Sequence, residues 1–133
     1  MRKFEFKKTY EEVEISGKVY KIEFNDDKLR EYQEKFLSFQ SDVDEYVKID
    51  ETKLEKDEQW EHFEKGKKLA RNLIDTLFGE GAFDELYEKG GRSLANMFDL
   101  IWYLAEIVKE RSGRNREEKR QQYVKRKNHV NQK

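Results

Sequence analysis

The sequence contains no cysteine and no proline, and only two histidines among its 133 residues. Without cysteine the chain can form no disulfide, no thiolate metal site and no cysteine nucleophile. The absence of proline suits long helices, because proline removes a backbone donor and breaks a helix. No stretch approaches about 18 consecutive apolar residues, and the start MRKFEFKKTY lacks the apolar core of a secretion signal. We therefore expect a cytoplasmic protein without membrane segments.

Charged and aromatic side chains are both abundant. Charged residues make up 43% of the chain, against about 25% in typical domains, and aromatic residues reach 14%, too many for a disordered chain. Residues 111–133 hold nine Lys and Arg against two Glu, a net +7, whereas residues 1–110 carry −8. We expect one acidic helical domain over residues 1–112 and a basic, flexible C-terminal tail over residues 113–133.

The first 24 residues contain an alternation typical of two β-strands. The apolar residues at this two-residue period are Val13, Ile15, Tyr20, Ile22 and Phe24. A two-residue Gly17-Lys18 loop pairs Ile15 with Tyr20 and suits a type II′ turn. We prefer it to a Ser16-Gly17 loop, which would place Ile15 opposite Lys18. Since a lone hairpin is barely stable, its apolar face must pack on a helix.

Phe4 and Phe6 do not fit this hairpin, because their parity is opposite to that of Val13 and Ile15. Either a bulge or a bend near residues 8–10 intervenes, or residues 4–6 belong to a separate strand.

Two long helices are predicted next. Asn25 can cap the first, whose apolar positions recur at spacings of three and four as in packed helices: Leu29, Tyr32, Phe36, Phe39, Val43 and Tyr46. Thr52 and Glu55 have the spacing of a capping box, so the second helix could start there. Its inward stripe is expected to comprise Trp60, Phe63, Gly66, Ala70, Leu73 and Leu77. Gly66 can permit a close helix crossing.

Glycines occur at the predicted helix ends in the segment LIDTLFGEGAFDELYEKGGRS. Gly79 is placed to end the second helix, and Gly90-Gly91 to end a short third helix over residues 82–89. Ser93 can cap the last helix, which is the most apolar and which we expect to be central. The predicted fold is therefore α+β and mostly α, with an N-terminal antiparallel β-hairpin packed on a bundle of three to four helices.

No arrangement of side chains indicates catalysis or a cofactor. Glu58 and His62 are four residues apart, as two metal ligands on one helix can be, but no second cluster completes a site, and we interpret them as a solvated face. The glycine pairs follow helices, whereas phosphate-binding loops follow strands. We expect no catalytic residue, no metal site and no cofactor.

The aromatic side chains are the best candidates for partner contacts. Trp60, Phe63, Phe98 and Trp102 are expected in the core, yet the aromatic content is high for so small a fold, and an exposed aromatic patch is typical of an interface. We therefore predict partner-binding roles for Tyr32, Phe36 and Phe39, or for Phe98 and Trp102.

Two segments resemble tail assembly chaperones of long-tailed bacteriophages and related prophages. In SGKVYKIEFNDDKLREYQEKF the similar positions are Gly17, Lys18, Tyr20, Ile22 and Phe24. In LIDTLFGEGAFDELYEKGGRSLANMFDLIWYLAEIV they are Ile74, Asp75, Leu77, Gly79, Glu80 and Gly81. The similarity covers roughly residues 15–40 and 69–110, and it does not include residues 50–58 or the basic tail.

The resemblance implies a non-enzymatic role in tail morphogenesis. Such chaperones coat the helical tape measure protein, help to recruit tail tube subunits and self-associate, and no membrane or nucleic acid is expected among their partners. The alternative is a small helical nucleic-acid-binding or regulatory protein that uses the basic C-terminal tail. A structural component retained in the finished particle is a third interpretation.

Overall fold

The structure is a computed structural model that describes the backbone of residues 1–131 and the side chains of residues 1–113, 120, 121 and 124. Its elements, in chain order, are β1 (Tyr10–Ile15), β2 (Lys18–Glu23), α1 (Asp26–Lys48), a short 3-10 helix (Glu51–Lys53), α2 (Lys56–Phe78), α3 (Ala82–Lys89) and α4 (Leu94–Asn131). The two strands form an antiparallel hairpin that precedes four α-helices. The predicted fold class is confirmed.

The hairpin has the register that the sequence argument rejected. Ile15 pairs with Lys18, so the turn is Ser16-Gly17 and the predicted Gly17-Lys18 loop is wrong. Ser16 has a φ of 48° and Gly17 a φ of 85°, as in a type I′ turn, whose twist matches that of the strands. Lys18 is not left against apolar neighbours, because its ammonium donates to the Glu85 carboxylate of α3.

Residues 1–9 form no strand, and residues 8–10 contain neither a bulge nor a bend, so both alternatives considered for Phe4 and Phe6 are wrong. The two side chains are exposed, with their rings edge to face at 5.0 Å. They cannot extend the hairpin, because their parity would place them on the face away from the helices.

Helix α1 follows its predicted pattern. The Asn25 side chain caps it by accepting a hydrogen bond from the Lys28 amide at 2.9 Å. Five of the six predicted seam positions are buried, namely Leu29, Tyr32, Phe39, Val43 and Tyr46. Phe36, the sixth, is half-buried.

Helix α2 starts at Lys56, later than the predicted Thr52 start. The Asp50 carboxylate accepts hydrogen bonds from both the amide and the hydroxyl of Thr52, which fixes the 3-10 turn instead. The residue pair at the true start is Glu55 and Glu58, with the Glu58 carboxylate 3.4 Å from the Glu55 amide. The capping-box spacing therefore occurs three residues after the predicted position.

The glycine-rich connections are joints between helices, as predicted. Gly79 and Gly81, with φ of 107° and 89°, reverse the chain between α2 and α3. The Asp75 carboxylate spans this joint by accepting a hydrogen bond from the Phe83 amide at 2.8 Å. Ser93 caps α4 through the Asn96 amide at 3.2 Å.

The core lies where the hairpin and the four helices converge. Its largest fully buried side chains are Tyr32, Phe24, Phe83, Ile22, Ile74, Leu86, Ile101 and Leu104. Helix α2 packs against α1, α3, α4 and β2. It, rather than α4, is the central helix, because α4 turns Trp102 and Tyr103 toward solvent.

Helix α4 does not end where the sequence predicts the end of the folded domain. It runs through Ser112-Gly113 without a break and continues to Asn131. The reason lies in composition, because residues 114–127 are rich in Arg, Lys, Glu and Gln, which are good helix formers. The flexibility predicted for residues 113–133 stays a prediction, and residues 132 and 133 lie outside the described residues. We refer to residues 1–112 as the body and to residues 113–131 as the α4 extension.

Candidate partner-binding groove

A groove of about 620 Å³ lies between α1 and α4. One wall is α1, which contributes Gln33, Phe36, Leu37 and Gln40. The other wall is α4, which contributes Trp102, Ala105, Val108, Lys109, Ser112 and Gly113. Residues three, four and seven apart line both walls, so each wall is one continuous helix face.

The groove is bordered by two large apolar side chains that the body leaves uncovered. Leu37 is 70% exposed, and Trp102 is 46% exposed. The Trp102 ring is held in place by an edge-to-face contact with Phe39, at 5.8 Å between ring centroids. Fixed apolar surface of this kind, grouped in a concave site, is typical of protein–protein contacts.

A few polar groups are placed among these apolar walls. Gln33 and Gln40 present carboxamides from α1. Ser112, in the opposite wall, is 7% exposed, and its hydroxyl has no hydrogen-bond partner among the described residues. The hydroxyl oxygen itself is covered, so an occupant of the groove does not reach it in this conformation. Mostly apolar walls with few polar groups are usual in binding clefts.

The predicted partner residues are divided between the core and this groove. Tyr32 and Phe39 are 1% and 4% exposed, so they are inaccessible to a partner in this conformation. Phe98 is half-buried and contacts Phe39 at 6.1 Å. Only Phe36 and Trp102 line the groove.

The sequence pattern did not identify Leu37, the most exposed apolar residue of the groove. It lies next to Phe36 and outside the three–four seam of α1, so the pattern assigned it to the solvated face. One signal could have identified Leu37: it is an apolar residue on the solvated face of a helix, where residues are normally polar.

At the start of α2, the side of the helix that faces the core is not the predicted side. His62, interpreted as solvated, is 6% exposed and stacks on the Tyr46 ring at 3.9 Å. Its Nε2 atom is 3.4 Å from a carboxylate oxygen of Glu51. Trp60, expected in the core, is 62% exposed. Gly66 explains the difference, because its missing side chain lets Tyr46 lie against α2 at the level of His62.

The Gly90-Gly91 joint does not form an anion-binding cradle. Its amides are already used as donors to the last carbonyls of α3: Gly90 N to Leu86 O, Gly91 N to Glu88 O and Arg92 N to Tyr87 O. Arg92 itself lies 3.6 Å from the Glu88 carboxylate. A phosphate would need free amides that this helix end does not offer.

The perturbed ionisable groups have structural causes. Burial raises the pKa of Tyr32 to about 12. The hydrogen bond from Lys18 lowers the pKa of Glu85, and a second one from Tyr20 adds to it. This carboxylate lies at the contact between the hairpin and α3, outside the groove, and therefore holds two elements together.

In the part of the chain that the structure describes, no three His, Cys, Asp or Glu side chains are grouped as metal ligands would be. Among the same residues, every helix is too short or too polar to cross a bilayer. Comparison with models of protein families, with curated proteins and with solved structures finds no match to this chain.

Proposed function

We propose that this chain is a non-enzymatic tail assembly chaperone of a bacteriophage or prophage, acting in the cytoplasm of the bacterial host. Its clients are the tape measure protein and tail tube subunits. The observation that carries the proposal is the apolar α1–α4 groove, whose lining residues, except Ser112 and Gly113, lie within the two segments that resemble such chaperones. The groove gives this resemblance a physical binding site.

The groove suits an amphipathic helix. The α4 wall runs from Trp102 to Gly113, which at 1.5 Å per residue is about 16 Å, or three helical turns. A client helix with apolar residues at positions i, i+3, i+4 and i+7 can place them against Leu37 and Trp102. Tape measure proteins are long and helical, so they offer many such segments, and weak contacts repeated along one client add up to stable coating.

The test uses a synthetic helical segment of a tape measure protein from the phage or prophage that carries this chain, with binding measured by isothermal titration calorimetry. Leu37→Asp places a charge in the groove and should weaken binding at least tenfold. Val47→Asp is the matched control, because Val47 is on the same helix, is 66% exposed and does not line the groove. Equal affinities for the two variants would exclude the groove as the client site.

The alternative, nucleic-acid binding, relies on the basic residues of 111–133, most of them on the α4 extension. Its affinity would fall steeply with salt, because counterions are released from phosphates. Deletion of residues 114–133 would abolish it. Under the chaperone proposal the same deletion leaves client binding in place, since the described groove ends at Gly113.

A further inference from the structure

Gly113 has no evident purpose within a single copy of the chain. It lies inside α4, where glycine costs about 1 kcal/mol relative to alanine. A Cβ atom added at Gly113 would meet nothing within 4 Å, so packing in the body does not require its absence. Gly66, by contrast, is needed for contact with Tyr46. A glycine in open space on a helix surface becomes useful when another backbone approaches it closely.

A stripe along α4 is symmetric about this glycine. Its positions are separated by 4, 3, 4, 4, 3 and 4 residues and share one side of the helix: Trp102, Glu106, Lys109, Gly113, Glu117, Arg120 and Val124. Of the members with described side chains, Glu106, Lys109 and Arg120 are exposed, and Val124 is 46% exposed. The body therefore leaves the stripe uncovered on both sides of Gly113.

The stripe is complementary to itself when a second copy runs antiparallel to it. A two-fold axis at Gly113 places Trp102 opposite Val124 and Glu106 opposite Arg120. In the same register the sequence places Lys109 opposite Glu117, and Gly113 opposite itself. Apolar residues then meet apolar ones and acids meet bases at every level, as an isologous interface requires.

The match is specific to this register. A shift of three residues would place Glu106 opposite Glu117 and leave Gly113 without its counterpart. Like charges in contact are unfavourable, so the pattern selects one alignment and disfavours its neighbours.

The charge of the whole chain favours the same pairing. The α4 extension lies within the segment that carries +7, whereas residues 1–110 carry −8. An antiparallel partner brings the basic extension of each copy beside the acidic body of the other. It also lies along the α4 wall of the groove, since Trp102, Lys109 and Gly113 belong to both the stripe and the groove.

We propose that two copies of this chain form a dimer through antiparallel α4 helices crossing at Gly113, so that each α4 extension covers the groove of the other copy. The dimer is the state of the free protein and does not depend on the proposed client. If the groove also binds a client helix, the second copy and the client compete for it.

The absence of cysteine makes a direct test possible, because each introduced thiol is unique. Gly113→Cys places two thiols at the crossing point, and mild oxidation should give a disulfide-linked dimer in most of the protein. Glu106→Cys places its two thiols about 21 Å apart in this dimer, at 1.5 Å per residue along each helix, too far for a disulfide. Glu106→Cys combined with Arg120→Cys should link again, through thiols on opposite copies.

Equal linking of Gly113→Cys and Glu106→Cys would overturn the proposal, since it would mean a parallel pair or random collision. So would a failure of the Glu106→Cys and Arg120→Cys pair to link, because that pair leaves the glycine at the crossing point in place. Because neither position packs in the core, circular dichroism should show both variants folded as the wild type is.

Charge reversal tests the same register without oxidation. In sedimentation velocity, Glu106→Arg should weaken the dimer at least tenfold, since it opposes Arg120. Adding Arg120→Glu should restore dimerisation to within a few fold of wild type. Glu45→Arg makes the same charge change at an exposed position outside the stripe and should have little effect.

A wild-type protein that stays monomeric up to 200 µM would refute the proposal. So would a double variant that dimerises as weakly as Glu106→Arg alone. These measurements use the protein alone, so they can fail while client binding succeeds, or the reverse.

Discussion

Replacing Gly66 by alanine should destabilise the protein, although alanine is the better helix former. A Cβ atom at this position would lie 2.6 Å from the hydroxyl oxygen of Tyr46 and 2.7 Å from the ring carbon that carries it. Both distances are far shorter than a van der Waals contact. Tyr46 cannot easily move, because it is stacked on His62 and contacts the Phe98 ring at 6.1 Å.

Two opposing effects set the size of the change. Alanine in a helix interior gains about 1 kcal/mol over glycine, whereas overpacking a buried contact costs about 1–3 kcal/mol. Since two atoms of a rigid ring are involved, we expect the upper part of that range, and a net loss of about 1–2 kcal/mol in the free energy of unfolding. Gly113→Ala is the matched control, because its Cβ atom enters open space and it should cause no loss.

Urea denaturation followed by circular dichroism at low protein concentration measures both variants. Repeating Gly66→Ala in a Tyr46→Leu background isolates the contact, because a shorter side chain no longer reaches the added methyl group. The cost of Gly66→Ala should then largely disappear. Stabilisation by Gly66→Ala, or an equal cost in both backgrounds, would refute the close-contact explanation.

Two further predictions concern α1 and α4. Burial raises the pKa of Tyr32 to about 12, whereas an unfolded tyrosine ionises near pH 10. The folded state should therefore lose stability as the pH rises from about 10 to 12. Tyr32→Phe should reduce this loss in alkaline denaturation curves. Ser93→Ala removes the hydroxyl that accepts a hydrogen bond from the Asn96 amide and should lower the free energy of unfolding by about 1 kcal/mol. Ser93→Asp keeps an acceptor and should lower it much less. Urea denaturation measures both variants, and equal losses would contradict a capping role.

The helix pattern could be predicted from the sequence where local signals agreed with packing. The three–four spacing of α1, the glycines at 79 and 90–91 and the Ser93 cap each have a physical cause within a few residues, and the structure has all of them. These features depend on backbone geometry and on one apolar face, which a single sequence records directly.

Two of the errors, the hairpin register and the burial of His62, occur where a distant residue decides the outcome. The hairpin register depends on Glu85, which is 67 residues from Lys18 and receives its ammonium. The burial of His62 depends on Tyr46, which crosses at Gly66. Both choices reverse what local polarity favours, and no local pattern shows that the compensating partner is present.

The groove was only partly predictable for a related reason. Phe36 and Trp102 were identified as aromatic candidates, but the sequence could not show that Tyr32 and Phe39 would be covered. Leu37 was missed because the exposure of a side chain depends on which surfaces the other elements cover. The spacing of apolar residues along one helix does not contain that information.

The length of α4 changes the meaning of the net charge. The extension continues 18 residues past Gly113, or about 27 Å, which is more than three Debye lengths at physiological salt, each about 8 Å. The far end of this helix is therefore screened from the rest of its own copy, and the formal charge of −1 is an average that no approaching molecule experiences. A single copy should therefore behave as a dipole, acidic in the body and basic in the extension, and be retained by anion- and cation-exchange resins alike.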